Sequence, residues 1–215
     1  MKKGPIIVFD SGIGGLSIFR PLRSRLPKEN IVYIADSAHF PYGDKSKAWL
    51  AKRFEALSKQ FASLAPRLIV LACNSATTNS ITLVRERVSC PVVGVEPVIK
   101  PLAHFPRALA LMTAASAVSD TTMNLREKYG QHIRIYTPHN LANAIEYNDY
   151  VQVKKSLQEI KKIVRKYDIQ AVGLSCTHYP LILPMFQEAM PGVTFIDPSA
   201  AVVQRVLEVL KSQVA

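Results

Sequence analysis

Eight short apolar runs, each four to six residues long and most of them rich in β-branched side chains, recur along the chain with longer stretches between them. Most of those stretches have helical periodicity. Strands separated by amphipathic helices pair in parallel, with the helices as crossovers, so this alternation restricts the fold more than any other feature. The runs fall at 5–9 (PIIVF), 30–35 (NIVYIA), 68–72 (LIVLA), 91–95 (PVVGV), 108–112, 133–136, 171–175 and 193–196. Helices are expected at 15–26, where Pro21 would confine or split the element, at 45–64, from Ser75 onward, and at 117–129, 141–147, 151–167 and 199–211. The 45–64 helix puts Trp49, Leu50, Phe54, Leu57, Phe61 and Leu64 on one face. The 151–167 helix does the same with Val153, Leu157, Ile160, Ile163, Val164 and Tyr167.

The expected fold is therefore α/β, with two similar lobes built on mostly parallel sheets. Pro97, Lys100 and Pro101 mark a hinge, which divides the chain into a first lobe, 1–96 plus 197–215, and a second, 97–196. The active site is expected in the cleft between them.

Composition removes several classes. Hydrophobic residues make up 48% and charged residues 20% of 215, which is ordinary for a globular protein and unlike a disordered chain. No apolar run approaches the ~18 residues of a membrane span. Only four apolar residues lie between Pro5 and Asp10, too few for a signal-peptide core. The three cysteines, at 73, 90 and 176, form no CxxC pair. An odd number without that spacing argues against a disulfide framework or a metal site, and for free thiols in the cytoplasm.

The glycine-rich turn Asp10-Ser11-Gly12-Ile13-Gly14-Gly15 follows a strand and opens a helix. Such turns let backbone N–H groups approach an anion. Asp36 ends the next strand, as a ribose-binding acid would, but Ser17 occupies the third glycine position of the dinucleotide fingerprint. A tight strand–helix turn with a capping Asp explains the same residues.

The cysteines are more informative. LIVLACNSAT (68–77) and AVGLSCTHYP (171–180) echo each other weakly, and each puts a cysteine at the C-terminal end of a strand. Open α/β sheets bind ligands there. Asn74, Ser75, Thr77, Thr177 and His178 surround these two thiols with polar groups, and His178 is close enough to Cys176 to exchange a proton. Cys90, among Val and Arg residues before Pro91, has no such company and reads as structural. Two thiols across a cleft suit inversion of a stereocentre bearing a proton. One, as thiolate, removes the proton from one face while the other, as thiol, returns one to the opposite face. Hydroxyls and backbone N–H groups would hold the substrate's carboxylates.

The motifs Asp10–Gly15, ADSAHFPYG (35–43), LACNSAT (71–77), GVEPVIKP (94–101), CTHYPLI (176–182) and IDPSAAVV (196–203) occur together and in order. On these residues the chain resembles the glutamate racemases of the aspartate/glutamate racemase superfamily. The resemblance implies two α/β lobes around a cofactor-independent site without a metal. Cys73 and Cys176 would be the acid/base thiols, assisted by Asp10 and His178. Ser11, Pro41, Tyr42, Gly43, Asn74, Ser75, Thr77 and Thr177 would bind the acidic amino acid, with Asp36 and Glu146 lining the site. The product, D-glutamate, would supply peptidoglycan synthesis, and the expected assembly is a homodimer.

The resemblance also implies a strand and helix beyond 199–211, so the chain reads as C-terminally shortened. Further departures are His39 where Arg is common, Ser175 where Gly is usual, and Thr137-Pro138-His139-Asn140 in place of Cys-Pro-Gly before Glu146. A racemase of aspartate or another acidic compound would keep the mechanism. Outside that mechanism stand a nucleotide-dependent oxidoreductase, a Cys176–His178 hydrolase and a non-catalytic anion-binding paralogue.

The net charge of +11 (27 basic, 16 acidic residues) belongs largely to two helices. Residues 45–64 carry five basic residues and one acid, and 151–167 six and one. With no nucleic-acid module in the sequence, this reads as a solvated exterior whose field draws in a dianionic substrate.

Overall fold

A computed structural model of the chain describes residues 4–213. The outermost residues of the first lobe as expected from sequence, 1–3 and 214–215, lie outside the described residues.

Four strands, β1 (Ile6–Asp10), β2 (Ile31–Ala35), β3 (Leu68–Leu71) and β4 (Val92–Gly94), form one sheet in the order β2-β1-β3-β4. All its pairings are parallel. Its two central strands are buried along their whole length, which is why they read as unbroken apolar runs rather than alternating ones. Helices α1 (Leu16–Arg25), α2 (Lys47–Ser63) and α3 (Asn74–Arg87) make the crossovers. Ile7, Phe9, Ile69 and Leu71 pack against Leu50, Phe54, Leu57 and Phe61 of α2 on one face.

The second sheet repeats this plan. Strands β5 (Ala108–Met112), β6 (Arg134–Tyr136), β7 (Ala171–Ser175) and β8 (Thr194–Ile196) lie in the order β6-β5-β7-β8, again all parallel. Around them run α4 (Ile99–Leu102), α5 (Ala114–Ala117), α6 (Asp120–Tyr129), α7 (Leu141–Glu146), α8 (Tyr150–Lys166) and α9 (Leu183–Ala189). The α8 face formed by Val153, Leu157, Ile160 and Val164 joins Leu109, Val172 and Leu174 in one core. The last helix, α10 (Ser199–Ser212), returns to the first sheet. There Val202, Val203, Val206 and Leu210 pack with Ile6, Val8, Ile18 and Leu22.

Three expectations are corrected. Pro21 neither splits nor confines α1, which runs unbroken through it to Arg25. The ring falls in the second turn of a ten-residue helix, where it removes one bond but leaves the flanking turns intact. Leu64 lies just past the end of α2 and is 45% exposed instead of facing the core. The expected helix at 117–129 is two elements, because Ser119 caps a fresh start at Asp120 by accepting the Thr122 N–H.

Candidate active site

Both cysteine motifs occupy the same place in their sheets. β3 ends at Leu71, and Cys73 stands at the cap of α3 two residues on; β7 ends at Ser175, and Cys176 follows directly. In each lobe this is the third strand in sequence, at the carboxyl end of a parallel sheet. The two sulfur-bearing residues line one pocket with Ser11, Phe40, Pro41, Tyr42, Gly43, Asn74, Ser75, Thr113, Ala142, Thr177 and His178.

The glycine turn exists because the lobes meet on it. A Cβ at Gly14 would lie 2.6 Å from Thr177 Oγ1 and would also strike the His178 ring. The N–H groups that the turn frees do face anions, but these are the protein's own carboxylates. Gly12 N–H donates to Asp10 Oδ1 (2.9 Å) and Ile13 N–H donates to Glu146 Oε2 (2.9 Å). Thr177 Oγ1 donates to the other Asp10 oxygen at 2.9 Å, bridging the cleft.

Each thiol has a distinct neighbourhood. The Cys73 sulfur lies 3.8 Å from Ser11 Oγ. Burial, and then the nearby Asp10 carboxylate, push its thiol far above the usual range, so it rests protonated. Asp10 is itself pushed up by burial. The Cys176 sulfur lies 3.9 Å from His178 Nδ1, and His178 Nε2 is 2.6 Å from Glu146 Oε2. Burial alone would lower the His178 pKa, but its bonds to Cys176 and Glu146 outweigh that and raise it to about 10. Glu146 is pulled below the usual carboxylate range, because its bonds to His178 and Ile13 N–H outweigh burial. His178 is therefore a buried imidazolium at neutral pH, set between the Cys176 sulfur and the Glu146 carboxylate.

Asn74 is shaped for a ligand. It is 2% exposed, and neither its amide oxygen nor its amide nitrogen has a protein partner. Buried amides are rarely left so unless something else completes them. Beside it, the Ser75 hydroxyl is 2.8 Å from that of Thr113.

Four of the residues singled out in the sequence do not line this pocket: Asp10 and Glu146 are bonded to the lining residues Thr177 and His178, and Asp36 and Thr77 are bonded elsewhere. Asp36 is held by both nitrogens of a bidentate Arg53 (2.7 and 2.8 Å), by His39 Nδ1 (2.9 Å) and by the Tyr42 hydroxyl. It braces the loop that carries Pro41, Tyr42 and Gly43 into the site. Thr77 Oγ1 donates to Leu71 O (3.0 Å) and accepts from Val95 N–H (3.2 Å). Sequence reasoning missed Phe40, whose ring centroid is 5.2 Å from that of His178. It also missed Thr113 and Ala142. Thr113 was within reach, since it directly follows β5 at the same sheet end as Cys176.

The pocket between the thiols has about 20 Å³ open to water, room for roughly one molecule. A larger cavity of about 210 Å³ adjoins it through Pro41, Gly43, Thr113 and Ala142. Among the described residues, no cluster of three or more His, Cys, Asp or Glu could hold a metal ion. No helix among them is long and apolar enough to cross a membrane.

Two α/β lobes of parallel strands that bring two thiols into one pocket, one of them beside a buried imidazolium, make the layout of a two-base isomerase. The sequence matches the family Asp/Glu/Hydantoin racemase over residues 17–206. The glutamate racemase of Pseudomonas paraeruginosa is 33% identical over 99% of this chain and 83% of its own length. The structure of Escherichia coli glutamate racemase, in complex with L-glutamate and the activator UDP-MurNAc-ala, superposes with a TM-score of 0.84 at 30% identity, covering 97% of this chain and 83% of that one. Glutamate racemase from Francisella tularensis, in complex with D-glutamate, gives a TM-score of 0.85 at 29% identity, covering 99% and 83%. The chain belongs to the Asp/Glu/Hydantoin racemase family, on its glutamate racemase branch.

Proposed function

We propose that the protein interconverts L- and D-glutamate without a cofactor, using Cys73 and Cys176 as the two acid/base groups. The observation that carries this is the shared pocket, lined by two free, buried thiols at matching strand ends. In one direction the Cys176 thiolate takes the α-proton while the Cys73 thiol gives its proton to the opposite face. Cys176 is then the thiol and Cys73 the thiolate, and the reverse reaction restores both. His178, held by Glu146, serves Cys176; Asp10 serves Cys73.

Ser11, Asn74, Ser75, Thr177 and the Pro41–Tyr42–Gly43 loop hold the amino acid. The unpartnered Asn74 amide supplies both a donor and an acceptor for its ammonium and carboxylate groups. Asp36 supports the site from behind the loop. D-Glutamate made this way serves peptidoglycan synthesis in the cytoplasm, where free thiols persist. The working assembly is a homodimer, which light scattering in solution measures.

The test uses L-glutamate in D₂O with no added cofactor, followed by circular dichroism and by loss of the α-proton signal. Racemisation with exchange is expected. A folded sample that does neither would leave an anion-binding paralogue as the better description, and turnover of aspartate alone would change the substrate.

A further inference from the structure

The segment that joins the lobes is hydrogen-bonded at both ends to side chains beside the two cysteines. At its start, Val95 N–H donates to Thr77 Oγ1 at 3.2 Å, four residues after Cys73. At its end, Val98 N–H donates to Ser175 Oγ at 3.0 Å, one residue before Cys176. Thr77 is 3% exposed and Ser175 fully buried, so water does not compete for either bond. A buried backbone N–H needs a partner: Val98 N–H finds it in the Ser175 hydroxyl, and Val95 N–H is shared between the Thr77 hydroxyl and Leu71 O (3.2 Å), both in the strand–helix unit that carries Cys73.

Packing supports the second tie. Gly173 and Ser175 lie on one face of β7. A Cβ at Gly173 would lie 2.7 Å from Leu102 Cδ1 and would also collide with Val98 Cγ2. The crossover is thus seated directly on the strand that delivers Cys176. The resemblance leads one to expect Gly at 175, which has no hydroxyl and could not make this bond.

We propose that Thr77 and Ser175 are positioning residues that fasten the two cysteine motifs to opposite ends of the 95–98 crossover, so that this segment sets where each sulfur stands in the cleft. Neither residue lines the pocket that holds the two thiols. The inference rests on the two-thiol reading above.

The experiment reads each thiol separately. In a Cys73→Ser background, α-proton exchange in D₂O reports Cys176 alone; in Cys176→Ser it reports Cys73 alone. Ser175→Ala and Thr77→Val are placed in both backgrounds, with the exchange rate of each glutamate enantiomer measured. Ser175→Ala is expected to slow exchange at least fivefold in the Cys73→Ser background and less than twofold in the other. Thr77→Val should show the opposite pattern. Ser175→Thr and Thr77→Ser keep the hydroxyl and should restore most of the rate. Ser175→Gly gives the same reading if the Ala variant does not fold. Equal losses in both backgrounds, or none, overturn the proposal, since a general loss of stability cannot distinguish the two sulfurs. If neither parent Cys→Ser protein exchanges either enantiomer, the two-thiol reading itself fails, which is a different result.

Discussion

His178 Nε2 lies 2.6 Å from Glu146 Oε2, and the Cys176 sulfur at the other ring nitrogen together with this buried carboxylate keeps the imidazole charged. The His178 pKa, raised from 6.5 to about 10, exceeds its value in the unfolded chain. Its contribution to stability is therefore complete below about pH 6.5 and is lost as pH rises toward 10. We expect the wild-type protein to lose stability across that window, on the order of a few kcal/mol. His178→Asn should flatten the dependence, and Glu146→Gln should move it to lower pH. Melting temperatures from pH 6 to 10 provide the measurement, and parallel curves for wild type and His178→Asn would contradict a charged resting state.

Cys73→Ser and Cys176→Ser should each abolish racemisation, because inversion needs a proton removed on one face and another supplied on the opposite face. Each variant should still exchange the α-proton of a single enantiomer, the two variants choosing opposite ones. Proton NMR in D₂O checks this. Exchange of both enantiomers by one variant would argue against one thiol per face.

Gly14→Ala should inactivate the enzyme while leaving each lobe folded. The added methyl meets Thr177 and His178 from the other lobe, not the core of its own. A drop in kcat/KM of at least ~100-fold, with a melting temperature within a few degrees of wild type, is the expected result; a misplacement of ~1 Å at a catalytic group is enough. Activity within tenfold of wild type would show that the lobes tolerate a wider separation than the structure displays.

Arg53→Ala should raise KM more than it lowers kcat. Its guanidinium makes two bonds to Asp36, which in turn holds Tyr42 next to the substrate loop. Removing it leaves a buried carboxylate without its cation, at a cost of about 1–3 kcal/mol in stability. Steady-state kinetics with denaturant titration separate the two effects. An unchanged KM would mean that the loop keeps its place without the brace.

The strands were legible because β1, β3, β5 and β7 are buried on both faces and therefore appear as unbroken apolar runs. The cysteines were legible for a related reason, each standing where such a run stops. α5, of four residues, and α9, of seven with Pro184 near its start, are too short to display a helical period. The role of Asp36 was hidden because its partner Arg53 is seventeen residues away on α2 and reads there as one more solvated charge. Thr113 was legible only as the residue that follows β5, since it is the fold that brings its hydroxyl to Ser75.

The two sheets share one strand order, and their cysteines stand at equivalent places, yet the sulfurs have unlike neighbours: Ser11 and Asp10 on one side, His178 and Glu146 on the other. Enantiomers in water have identical free energies, so the equilibrium constant of their interconversion is unity. The Haldane relation then makes kcat/KM the same in both directions, whatever the flanking residues are. The unlike neighbourhoods can alter only how that common ratio divides, a larger kcat for one antipode being matched by a proportionally larger KM. Evolution is thus free to tune the enzyme for the direction in which product is drawn away, without ever biasing where the reaction comes to rest.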